Sequence, residues 1–82
     1  MEKFTVELLV SNRYGVLNRI TGLYARRGYN IDSLFVNETE NPEVSRMIIC
    51  SHGDSYVQSQ LVRQLRKLYD VRTVVLMATK EV

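Results

Sequence analysis

The residues best placed to do chemistry form one run, Asn12-Arg13-Tyr14-Gly15-Val16-Leu17-Asn18-Arg19-Ile20. A polar loop ending in glycine opens directly into a helical apolar pattern. Free N–H groups at the first residues of a helix point outward, and the helix dipole makes that end positive. The N–H groups of Gly15, Val16 and Leu17 therefore suit an anion such as a carboxylate or phosphate. Gly15 lets a ligand approach the backbone, and Asn12 adds a side-chain oxygen and amide. The same residues also suit a plain turn, with Asn12 bracing the loop and Gly15 only reversing the chain. Asn30 is a second candidate, because asparagine is a poor strand former at the start of a strand-like run. An ordinary turn residue after a helix end explains it equally well.

Little else on the chain could catalyse a reaction. His52 is the single histidine and Cys50 the single cysteine. No internal disulfide is possible, and a zinc site of cysteine and histidine ligands lacks donors. His52, beside a glycine at a strand-to-helix turn, reads as a surface residue. Cys50, at the end of an apolar strand, reads as a small core residue. Glu38, Glu40 and Glu43 surround a turn and read as a solvated rim, not as a carboxylate pair.

The elements that must position the loop follow from periodicity. Phe4, Val6, Leu8 and Val10 alternate with Thr5 and Glu7, which predicts a half-buried strand over 4–10. Val16, Ile20, Leu23 and Tyr24 form one helical stripe, followed by Arg26, Arg27 and Gly28, which predicts a helix over about 15–27. Gly22 inside it costs about 1 kcal/mol against alanine and implies close backbone packing. A second strand is predicted over Asn30–Asn37, with Ile31, Ser33 and Phe35 on one face. A turn around Pro42 and a third strand over Val44–Ser51 complete a hairpin. Asp54 or Ser55 caps a second helix with Val57, Leu61, Leu65 and Leu68 on its stripe. Tyr69-Asp70 breaks that helix, Val71–Met77 is a last strand, and Ala78–Val82 is a loose tail.

The order β-α-β-β-α-β with right-handed crossovers predicts an α+β ferredoxin-like fold: a four-stranded antiparallel sheet with two helices on one face. Leu9, Leu34, Val36, Met47, Ile49, Val74 and Leu76 are divided between the core and the open sheet face. An open face carrying large apolar residues calls for a partner.

Composition agrees with a single small domain, expected to be ordered over about 3–78 of residues 1–82. The chain has 82 residues, 24% charged and 45% apolar, with a net charge of +2. That charge is too weak to argue for nucleic acid or an anionic membrane. No apolar run approaches the ~18 residues of a span and no leader pattern is present, so a soluble cytoplasmic protein is expected.

Asn12-Arg-Tyr-Gly15-Val-Leu-Asn-Arg-Ile, followed by Gly-Leu-Tyr-Ala-Arg-Arg-Gly28-Tyr-Asn30-Ile31-Asp-Ser-Leu34, resembles the start of an ACT domain. More closely, with Arg-Arg-Gly-Tyr-Asn-Ile and Ser45-Arg46-Met47, it resembles the regulatory (small) subunit of acetolactate synthase, also called acetohydroxyacid synthase. The resemblance implies a non-catalytic chain that pairs side by side with a second copy. It implies that Asn12 and the N–H groups of Gly15, Val16 and Leu17 hold valine or another branched-chain amino acid. Asn30 and Ile31, from the neighbouring protomer, close the site. The implied partner is the large catalytic subunit, activated by this chain and inhibited through it. Thiamine diphosphate, Mg and FAD belong to that partner, and no cofactor or metal is expected here. Many family members continue into a second domain; a chain that stops at Val82 is a short member or a trimmed one.

Other proteins of this fold class fit less well. The glycine-rich string of acylphosphatase-type enzymes is not matched by Arg13 or Arg19 and their neighbours. An RNA-recognition domain needs aromatics on its central strands, and Val44–Ser51 has none. A metal chaperone needs a Cys-x-x-Cys loop. An ACT module that serves another enzyme or a transcription factor is the alternative reading.

Overall fold

A computed structural model describes residues 2–78. The elements are β1 (Lys3–Ser11), α1 (Val16–Arg27), β2 (Ser33–Glu38), β3 (Val44–His52), α2 (Ser55–Arg66) and β4 (Val71–Ala78). The sheet order is β2-β3-β1-β4, and every neighbouring pair is antiparallel. This is the βαββαβ arrangement expected from the sequence. Ala78, expected in the loose tail, pairs with Phe4 as part of β4; the rest of that tail lies outside the described residues.

Alternation in β1 sends Phe4, Val6, Leu8 and Val10 to the helical side, all buried. Val16, Ile20, Leu23 and Tyr24 of α1 and Leu61 and Leu65 of α2 meet them there, with Met47, Ile49 and Val74. One apolar stripe per helix and one face of the sheet thus make the whole core.

Directly opposed residues share a face, so the register divides the apolar set. Leu34 and Val36 pair with Ile49 and Met47, which pair in turn with Val6 and Leu8. Those four, with Val74 and Leu76, lie on the helical side; only Leu9 of the candidate set lies on the open face. The open face instead carries the row Phe35–Ile48–Glu7–Val75. Phe35 is 60% exposed and Val75 47%. Cys50 opposes Thr5 and Ser33 on this face and is half-buried, so it is not the core residue expected.

The helix ends have clear causes. Gly28 is left-handed at φ 73° and donates its N–H to Ala25 O at 3.2 Å. Tyr29 N–H reaches Tyr24 O at 2.9 Å, and the two rings meet edge-on at 6.4 Å. This pair of bonds with its apolar contact is a Schellman closure. Asp54 caps α2 by accepting from Val57 N at 2.9 Å. Gly22 does not serve close packing within the chain. A Cβ there would meet only the Arg26 guanidinium, at 3.2 Å. β2 starts at Ser33 instead of Asn30; ahead of it, Asp32 N–H reaches Cys50 O at 2.8 Å and Asn30 Nδ2 donates to Asp32 Oδ1.

Candidate functional site

The loop between β1 and α1 is braced from the β2–β3 turn. Asn12 N–H donates to Glu43 O at 2.8 Å, and Asn12 Nδ2 donates to Pro42 O at 3.0 Å. Its amide nitrogen is therefore engaged, and Oδ1 is the group left to accept. Gly15 takes the left-handed conformation at φ 85° and caps α1 without a side-chain bond. Val16 N–H is not free as expected: it donates to Arg13 O at 3.3 Å. The N–H groups of Gly15 and Leu17 have no backbone acceptor among the described residues. The Val16 side chain is core, whereas Leu17 is exposed. Beside the loop, Ser11, Asn12, Arg13, Glu43, Tyr69 and Arg72 line a polar cavity of about 510 Å³.

Asn30 stands at the other end of α1. Its Nδ2 donates to Asp32 Oδ1 at 2.9 Å, so it too presents its oxygen outward. Asp32 Oδ2 contacts His52 Nδ1. The single histidine thus closes β3 and braces Asp32. Gly28, Tyr29, Asn30, His52, Gly53, Asp54 and Val57 line a largely apolar cavity of about 430 Å³. The Ile31 side chain turns inward and packs against the core.

The structure does not bring these two groups together in one protomer. Twelve residues of α1 separate them, which is about 18 Å at 1.5 Å per residue. One end carries amide N–H groups without a backbone acceptor among the described residues, and the other an asparagine side chain beside a largely apolar cavity.

Sequence reasoning missed Asp70. This residue, read as a helix breaker, is buried next to the loop. Arg19 Nη2 donates to its Oδ2, and Arg13 Nη1 lies 3.6 Å from its Oδ1. Its carbonyl accepts from Ser11 N–H at 2.8 Å. A bulge opposite Leu9 and Val10, where Arg72 is the extra residue of β4, precedes this contact. The one signal available was Arg19 itself, a cation in the first turn of a helix whose first turn has no acidic residue.

Among the described residues no cluster of His, Cys, Asp or Glu could hold a metal ion. No helix among them is long and apolar enough to cross a membrane.

The βαββαβ sheet with two helices on one face is the ferredoxin-like arrangement, and the family match makes it an ACT domain. Residues 6–73 match the AHAS small subunit-like ACT domain. The chain is 48% identical over 68 residues to the probable acetolactate synthase small subunit of Archaeoglobus fulgidus, covering 83% of this chain and 43% of that protein. It is 46% identical over 69 residues to the acetolactate synthase isozyme 3 small subunit of Escherichia coli K12, covering 84% and 42%. The crystal structure of the acetolactate synthase small subunit from Thermotoga maritima superposes with a TM-score of 0.86 at 38% identity, covering 93% and 47%. The chain belongs to the acetolactate synthase small subunit family of ACT domains. It spans less than half the length of these relatives.

Proposed function

We propose that this chain is the effector-binding ACT domain of a regulatory, non-catalytic subunit of acetolactate synthase, acting in branched-chain amino acid synthesis. It senses valine or another branched-chain amino acid at an interface between two copies and passes the signal to the large catalytic subunit.

The observation that supports this reading is the placement of Asn12 and Asn30 at opposite ends of α1, beside the two ends of an edge strand. β1 and β2 both run antiparallel to β3, so they run in the same direction, and α1 runs back between them. The Asn12 loop thus lies where β2 finishes, as its bonds to Pro42 and Glu43 require. Asn30 lies where β2 starts. β2 is an edge strand, and residues 33–38 carry no lysine or proline to block pairing. A two-fold pairing of two β2 edges sets the start of one beside the end of the other. The partner's Asn30 then faces the Asn12 loop. The N–H groups of Gly15 and Leu17 meet the carboxylate of an amino acid. The oxygens of Asn12 and the partner's Asn30 meet its ammonium. The apolar lining beside Asn30 meets its branched side chain.

Regulation follows by linkage. An amino acid held across two protomers favours one dimer geometry; a catalytic partner that prefers another is inhibited. Calorimetric titration with L-valine, with L-threonine and L-aspartate as controls, tests the reading. Saturable heat with valine alone is expected. Saturable heat with a control amino acid instead assigns the chain to another ACT sensor.

A further inference from the structure

Asp70 is the buried ionic group at the amino end of α1, and the effector reading gives it no role. Its side chain is 8% exposed, whereas those of Arg13 and Arg19 are 63% and 55% exposed. A carboxylate this buried needs charged partners, and it has two arginines of unequal hold. Arg19 is hydrogen-bonded. Arg13 stands at 3.6 Å, and Asp70 Oδ1 has no hydrogen bond. The Arg19 guanidinium is also drawn across Gly15: a Cβ on that glycine would lie 3.4 Å from Arg19 Nη1. The cavity beside the loop adds Arg72 and Glu43, one charge of each sign.

We infer that Asp70 is the positioning residue that sets the charge of the α1 amino-terminal site. It anchors Arg19 and leaves one positive charge uncompensated beside the Gly15 and Leu17 amides instead of two. Against a zwitterionic amino acid, an anion of the same shape then gains less than it would beside two uncompensated cations. This rests on the effector reading above and names what selects the ligand's charge.

The test compares L-valine with its 2-oxo acid, 3-methyl-2-oxobutanoate, which keeps the carboxylate and lacks the ammonium. In Asp70→Asn the affinity ratio shifts toward the oxo acid by about threefold or more at low salt, and the shift shrinks as salt screens it. Arg19→Gln shifts the ratio the opposite way. The double variant Asp70→Asn/Arg19→Gln, with the charge count restored, returns toward the parent ratio; a packing defect at Asp70 is not repaired by removing a cation. If Asp70→Asn does not fold, Arg19→Gln and the double variant decide together: the ratio moves toward valine in the first and returns in the second, and no return overturns the inference. An unchanged ratio and salt dependence in a folded variant overturn the inference. A parent chain that binds neither ligand removes the effector reading instead. Amide hydrogen exchange then still decides Asp70: faster exchange at Gly15 and Leu17 in Asp70→Asn supports it, and parental exchange overturns it.

Discussion

Asn12 and Asn30 bracket one helix, and each has its amide nitrogen held by its own chain, on Pro42 and Asp32 respectively. Their side-chain oxygens lie at opposite ends of α1, about 18 Å apart along the helix axis. On the proposed reading the two residues complete one site from different chains, which complementation can test.

Asn12→Ala and Asn30→Ala each abolish valine binding when every protomer carries the change. Mixed after subunit exchange, they regain it, because one of the two sites in each mixed dimer is intact. Random mixing of equal amounts returns about a quarter of the parental sites for a two-fold dimer. Calorimetric stoichiometry checks this, and a mixture that stays silent places both residues on the same protomer's site.

Val36 lies on the β2 edge and is 49% exposed. Val36→Lys installs the device that natural edges use against pairing. Sedimentation should show a monomer with valine binding lost and protomer stability within about 0.5 kcal/mol of the parent. A dimer that survives locates the interface elsewhere.

Two glycines should respond in opposite directions. A Cβ at buried Gly53 would lie 2.6 Å from Val57 Cγ1 and 2.9 Å from its Cβ. Gly53→Ala therefore lowers stability by about 2 kcal/mol through overpacking. Gly22→Ala meets only a flexible arginine and raises helix stability by up to about 1 kcal/mol. Urea unfolding reads both. A loss at Gly22 shows that a second chain rests on α1 there.

Tyr24 is buried with its hydroxyl lacking a hydrogen-bond partner, and burial pushes its phenol up from the ordinary value of 10.0. Tyr24→Phe removes an unsatisfied polar group and gains about 1 kcal/mol. The folded state holds this proton more tightly than the unfolded chain does. The stabilisation is complete below the unfolded value, near pH 10, and is lost as pH rises above it. Denaturation at pH 9 and 11 should show a steeper alkaline fall in the parent than in the phenylalanine variant.

Much of this was legible in the residues, because strand and helix periods write themselves into one chain. Phe4 to Val10 alternate, Val16 to Tyr24 repeat helically, and Asp54 announces α2. The faces of Val36 and Leu9 were not legible, since they follow from register and not from composition. The contact of Arg19 with Asp70 spans 51 positions and has no local pattern. Asparagine is a poor strand former, and Asn30 lies before β2. The Gly15 loop was recognised, but the engagement of Val16 N–H depends on a turn of Arg13 that sequence spacing does not specify.

β1 lies inside the sheet, between β3 and β4, although it is the first strand of the domain to be made. Its partners arrive late: Phe4 pairs with Ser51 and with Ala78. Pairings this distant must close long loops before they are rewarded, which slows folding. A nascent chain short of β4 leaves Phe4, Val6 and Leu8 on a strand with one bare edge, a surface that other strands can pair with. The second edge of β1 is therefore covered only after the last strand of the domain has been made.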